Sequence, residues 1–265
     1  MRGLRLERPP VWGILALVLL VLGNVAVLTV MTVRPTPADT YTPRAATSIT
    51  DAAEPSDAED GEEPPAASTP QAPVTLHVYG DGYAVGNELG GLDSAGWPAL
   101  VAQRIGAELV LTAVPRAGYA SVGVSGEIYL DLVERSPAGD ATVTVLFGSR
   151  NDADEDLALV QSNAAQAIAA IRQGAPGTTL VVVGPAWSDA DVPAAALAVR
   201  DAVRAAAEAG GATFVDPLAD GWFAQRPELI ASDGISPTDG GHVYLADLLA
   251  PVLQKAVTPA TGTAG

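Results

Sequence analysis

Val74-Thr75-Leu76-His77-Val78-Tyr79-Gly80-Asp81-Gly82-Tyr83-Ala84 is the stretch that decides how this chain folds. Its first half is a short, β-rich apolar run, the composition of a strand buried on both faces of a parallel sheet. It stops abruptly in Gly-Asp-Gly, a tight turn at the carboxyl edge of that sheet. Ligands of open α/β sheets bind beyond this edge, so the turn marks where function is expected.

Working outward toward the C-terminus, the pattern alternates. Trp97 to Ile105 reads as a helix, Glu108 to Val114 as a second strand and Gly126 to Arg135 as a helix. Thr142 to Phe147 is a continuous apolar strand, Leu157 to Arg172 an alanine-rich helix, and Thr179 to Val183 a fourth strand ending in Gly184-Pro185. Val192 to Ala209 follows as helix, Ala212 to Val215 as a fifth strand, and Gly240 to Val257 as a closing helix with Asp239 as its cap. Single helices between strands require right-handed crossovers. The expected fold is a three-layer α/β/α sandwich around a five-stranded parallel sheet. No internal repeat stands out.

Toward the N-terminus the character changes. Arg2, Arg5 and Arg8 precede an uncharged run from Val11 to Val33, dense in Leu and Val, and Arg34 follows it. About twenty apolar residues span a bilayer as a helix. The arginine asymmetry then puts residues 1–10 in the cytoplasm and the rest outside the cell membrane. A cleaved signal peptide is the rival reading, but no clear small-x-small site closes the run. Residues 34–73 are rich in Pro, Ala, Thr, Asp and Glu and lack material for a core, so they read as a disordered, self-repelling stalk. The folded domain is expected over 74–258, followed by a short disordered tail at 259–265.

Composition removes several classes of function. Lys+Arg 14 against Asp+Glu 31 gives a formal charge of -17, the wrong sign for a nucleic-acid partner. There is no cysteine, which excludes disulfides, thiol catalysis and thiolate metal sites. With two histidines, His77 and His242, no metal site and no cofactor is expected. His77 sits inside the first strand and reads as a core residue.

Four loops carry polar signals, and the topology brings them to one sheet edge. They are Gly80-Asp81-Gly82-Tyr83, Arg116-Ala117-Gly118-Tyr119, Gly148-Ser149-Arg150-Asn151-Asp152 and Ser232-Asp233-Gly234-Ile235-Ser236-Pro237. Glycine N–H groups and an Asn amide are the composition of an oxyanion hole. On these blocks the domain resembles the SGNH (GDSL) hydrolase family, in particular its membrane-anchored actinobacterial branch. That resemblance implies a flavodoxin-like sheet and a site of Ser, Gly, Asn and Asp-x-x-His. Gly118 matches the family's loop glycine, Asn151 its asparagine and Asp233 the aspartate that orients the base. Asp81 and Asp152 match supporting positions. Gly82, however, stands where the resemblance requires the serine nucleophile, and Ser236 where it requires the histidine base.

Acyl transfer needs a nucleophile and a base acting as a unit. With both replaced, the expectation is a cell-envelope pseudo-hydrolase. It would keep a cradle of Gly82 N–H, Gly118 N–H and the Asn151 amide, and hold an acyl, acetyl or glycan group without cleaving it. The alternatives are an active esterase or acyltransferase with a relocated catalytic group, or a structural envelope domain. For relocation the candidates are His242, in the first turn of the last helix and better suited to packing, and a water-activating pair of Asp81 and Asp233. Ser94, Ser121 and Ser125 are loop hydroxyls whose default role is polar capping.

Overall fold

The structure, a computed structural model, describes residues 73–257. The proposed anchor, stalk and C-terminal tail lie outside the described residues. Among the described residues no helix is long and apolar enough to cross a membrane.

Five parallel strands form one sheet: β1 (Val74–Gly80), β2 (Ala107–Ala113), β3 (Val143–Phe147), β4 (Thr179–Val183) and β5 (Thr213–Val215). Their spatial order is β2-β1-β3-β4-β5, with β1 paired to β2 from Val74↔Ala107 and to β3 from Leu76↔Val143. The helices are α1 (Gly82–Val85), α2 (Trp97–Ile105), α3 (Tyr129–Arg135), α4 (Leu157–Gly174), α5 (Ala194–Ala209) and α6 (Asp239–Val257). The order reverses between β1 and β3. That is the switch point at which doubly wound sheets open a crevice.

Strand β3 explains the layering. All five of its residues are buried. Leu146 joins a core with Tyr79, Val182, Ile168 and Ile171, while Val143, Val145 and Phe147 face a second core with Trp97, Leu245 and Leu249. Helices α3, α4 and α5 cover the first face, and α2 and α6 the second. A strand buried on both sides cannot alternate in polarity, which is why it reads as an unbroken apolar run.

Several element ends differ from the sequence expectation. Helix α3 begins at Tyr129 rather than Gly126, because Gly126 has φ +87° and the Gly123 N–H instead closes a turn on the Glu127 carbonyl. Helix α5 begins after Pro193, whose ring favours the entry to a helix and not its interior. Strand β2 runs one residue earlier than expected, at Ala107–Ala113. Asp239 lies in α6 itself and does not cap it. Its carboxylate accepts from the Gly91 N–H, and the Thr238 hydroxyl accepts from the Gly241 N–H in its place.

Candidate functional site

At the switch point, the turns after β1 and β3 enclose a cavity of about 170 Å³. Its walls include Asp81, Gly82, Tyr83, Asn87, Arg116, Arg150, Asn151, Ile235 and Ser236. All four expected loops therefore meet through these residues, the loop after β2 through Arg116.

Asp81 ends β1 and caps the single turn α1, accepting from the Tyr83 N–H at 2.9 Å. The Asn151 amide reaches across from the end of β3. Its Nδ2 donates to Asp81 Oδ2 at 2.8 Å and to the Ala117 carbonyl at 2.9 Å. Burial pushes the Asp81 carboxyl up to about 7, against the Tyr83 N–H, the Arg150 charge and the Asn151 amide, which all favour its ionised form. Tyr83 is pushed up to about 12 by its burial, and its hydroxyl donates to the Ile235 carbonyl at 2.7 Å. The first two loops and the last are thereby tied together.

Gly82 is the first residue of α1, and a Cβ placed there meets nothing within 4 Å. The cavity opens where a side chain would project. Across it, the Ser236 hydroxyl donates to Asp233 Oδ2 at 2.6 Å and accepts from Asn87 Nδ2 at 2.8 Å. Asp233 Oδ1 accepts from the Ile235 and Ser236 N–H groups, both at 2.9 Å. The Ser236 hydroxyl, followed by these N–H bonds, holds the exposed Asp233 carboxyl below the usual carboxylate range. A carboxylate so stabilised is a poor proton acceptor. Ser236 and Asp233 thus make a hydrogen-bonded pair at the cavity wall.

The expected oxyanion cradle is largely spent within the protein. The Gly118 N–H donates to the Ser121 carbonyl at 2.9 Å, and both hydrogens of the Asn151 amide are engaged as above. Gly118 does not border the cavity. It lies against Asp152, whose carboxylate a Cβ at 118 would strike. Asp152 is fully buried and accepts from the N–H groups of Tyr119, Ala120 and Ser121, each at 2.8 Å. It builds the loop after β2. Only Gly82 of the three cradle members retains a backbone N–H with no partner among the described hydrogen bonds.

Neither histidine serves the site. His242 is fully buried, its Nδ1 accepts from the Trp97 N–H at 3.2 Å, and Gly91 packs directly on its ring. Burial pulls its pKa down to about 4. His77 is likewise pulled to about 4 by burial, stacks on Tyr79 and hydrogen-bonds Thr112 at 3.0 Å. Both are neutral core residues. The carboxylate pair fares no better, since Asp81 is buried and bonded to the Asn151 amide while Asp233 is exposed on another loop and bonded to Ser236. Ser121 donates to the Arg116 carbonyl and Ser125 to Glu127, the local bonds expected of loop hydroxyls.

The sequence reading assigned no role to Arg116, Arg150, Asn87 or Trp187. Arg150 lies over the Trp187 ring at 4.4 Å from its centre. Arg116 has φ +67°, a left-handed conformation usually left to glycine. A second hollow of about 340 Å³ shares Arg116, Arg150, Asn151 and Ile235 with the first and extends past Trp187 and Pro193. The one available signal was two arginines at strand ends of a strongly acidic chain. Asn87 meets Ser236 from 149 positions away, which no local pattern reveals.

The sequence profile of the GDSL-like lipase/acylhydrolase family matches residues 78–244. The chain is 42% identical over 185 residues to GDSL lipase Rv0518 of Mycobacterium tuberculosis, covering 67% of this chain and 80% of that one. In fold it is similar to a carbohydrate esterase family 2 enzyme of Corynascus thermopiles (TM-score 0.57, 18% identity, 71% of this chain and 69% of that one). It is also similar to TesA (TM-score 0.54, 22% identity, 69% of this chain and 99% of that one).

Proposed function

The chain belongs to the GDSL-like lipase/acylhydrolase family, and we propose that within it this domain binds a cell-envelope ligand without hydrolysing it. One observation carries the reading: the cavity at the switch point is open where the nucleophile's side chain would stand, at Gly82, and no imidazole borders it. The two histidines are buried elsewhere and there is no cysteine. Ser236 is the hydroxyl best placed to substitute, but its partner Asp233 is too weak a base to activate it. Loss of nucleophile and base together removes on the order of 10⁶ in turnover in a well-studied serine hydrolase. The ligand classes that fit the family are acyl, acetyl and glycan groups.

The domain is displayed outside the cell membrane, tethered by the apolar run 11–33 and spaced from it by the acidic stretch 34–73. The arginine asymmetry about that run supports this. Protease added to intact cells without an outer barrier should release the domain, and full protection would refute the placement.

The full chain should neither turn over p-nitrophenyl acetate above buffer nor label with a fluorophosphonate. Ester hydrolysis by the wild type that disappears in Ser236→Ala, Asn151→Ala or His242→Ala would overturn the reading.

A further inference from the structure

The distribution of positive charge around the cavity identifies the kind of ligand. Elsewhere among the described residues most arginines are matched, the exception being Arg226, which lies over the Tyr244 ring. Arg104, Arg135, Arg200 and Arg204 pair with carboxylates, and Arg172 donates to the carbonyls of Thr178, Gly210 and Gly211. Arg116 and Arg150 have no carboxylate within ion-pair distance, although the chain carries Asp+Glu 31 against Lys+Arg 14. Both border the same two adjoining hollows.

Each is also held there in a way packing alone does not require. Arg150 rests on Trp187, and its Nη1 is buried with no hydrogen-bond partner. A buried guanidinium N–H without an acceptor is costly, and proteins rarely leave one so. The Nε of Arg204 is likewise buried without a partner, but of such groups Arg150 alone borders the cavity, where a ligand can supply the acceptor. Arg116 occupies left-handed backbone where glycine would be unstrained, which fixes a cation at the cavity rim. A guanidinium fork matches the paired oxygens of a carboxylate or phosphate.

We infer that the hollows form an anion site, in which Arg116 and Arg150 clasp a carboxylate or phosphate group and the rest of the ligand extends along Trp187 and Ile235. Gly82 and Asn87 border the smaller hollow, and Ile235, 48% exposed, gives both hollows an apolar edge. The acidic groups on these walls, Asp154 in the wider hollow and Asp81 in the smaller, favour a singly charged ligand over a polyanion. This rests on the reading of the domain as a binder and specifies its ligand: an acid has no ester bond to cleave and suits a site without a nucleophile.

The test is a titration of the full chain in zwitterionic-lipid nanodiscs, read by tryptophan fluorescence. Glucuronate, butyrate and inorganic phosphate are compared with the neutral glucose and butyramide. At least one anion should bind while its neutral counterpart does not, and which anion binds tells an acidic sugar from an acyl acid or a phosphate. Arg116→Gln and Arg150→Gln should each weaken that binding about tenfold or more, the loss of a charge-assisted bond. Arg150→Lys, which keeps the charge, should lose less, and unchanged melting curves show that each variant is folded. The inference is overturned if neutral compounds bind as well as the anions, if no anion binds at millimolar concentration, or if both Gln variants bind normally. Ester hydrolysis by the wild type would sink the non-hydrolytic reading independently of these outcomes.

Discussion

Restoring the two missing groups, as Gly82→Ser with Ser236→His, should recover measurable but poor ester hydrolysis. The structure permits both changes. A Cβ at position 82 meets nothing, and the residue is at the start of a helical turn without positive φ. At position 236 an imidazole inherits Asp233 as the acceptor that would orient it, at the loss of the 2.8 Å bond from Asn87, about 1 kcal/mol. Nucleophile and base together are worth on the order of 10⁶ in turnover. Each absent oxyanion donor removes about 10²–10³. Two of the three expected donors, Gly118 N–H and the Asn151 amide, are already engaged inside the protein. Six decades less at least four leaves a gain of about a hundredfold at best. The assay is p-nitrophenyl acetate hydrolysis by wild type, both single variants and the double variant, with fluorophosphonate labelling to count active serines. Either single change should stay at background, because the pair acts as a unit. A gain near 10⁵ would show that the cradle is free and that the observed hydrogen bonds do not block it. Equal activity from Gly82→Ser alone would reveal a base elsewhere. No gain in a folded double variant would refute the expected recovery and show that the engaged donors remove the full six decades.

Removing the Asp152 carboxylate should unfold the loop after β2: Asp152→Ala orphans two buried N–H groups and a half-buried one. A loss of about 3–5 kcal/mol is expected in urea unfolding, and a change under about 1 kcal/mol would contradict its role. Stability should also respond to pH through three buried groups. His77 and His242, with folded values about 4 against 6.5 unfolded, lose stability as pH falls from about 6.5 to 4, whereas Asp81, raised to about 7 from 3.8, gains it over the same fall. Near pH 5.5 unfolding takes up roughly two protons at the histidines and releases one at Asp81. Asp81→Asn should therefore steepen the acid loss by about 1.4 kcal/mol per pH unit. Parallel wild-type and variant slopes would show that Asp81 is not protonated in the fold.

The layers of this fold were legible because a doubly wound sheet writes itself into local composition. Val143–Phe147 can only be a strand buried on both faces, and its neighbours follow by alternation. Helix starts were less legible. The α3 start depends on a loop bond between Gly123 and Glu127, and the α6 start on the capture of Asp239 by Gly91, contacts that depend on the folded chain. At the candidate site, the sequence named the loops that the structure places around one cavity but not which donors would be consumed. That Gly118 turns its N–H to Ser121, and that Asn151 spends its amide on Asp81 and Ala117, are consequences of how the loops close on one another.

This closure changes what the surviving family residues mean. By sequence alone, the retention of Asp81, Gly118, Asn151 and Asp152 beside a missing serine and histidine hints at a preserved binding cradle. In the structure each has a structural reason to persist. Asp81 caps α1 and anchors Asn151, Asn151 bridges the first two loops, and Gly118 leaves room for the carboxylate of Asp152, on which three N–H groups depend. Losing any of them would cost the fold whether or not a ligand binds. Gly82 and Ser236 are different, because a Cβ at 82 touches nothing and the half-buried Ser236 is held only by its hydroxyl bonds to Asn87 and Asp233 and its backbone bonds in the last loop. Catalytic groups could therefore disappear while the scaffold stayed intact, and their loss says nothing for or against binding. The case for a ligand comes instead from an arginine in glycine-like backbone and another with a buried, unanswered N–H, both bordering the same cavity.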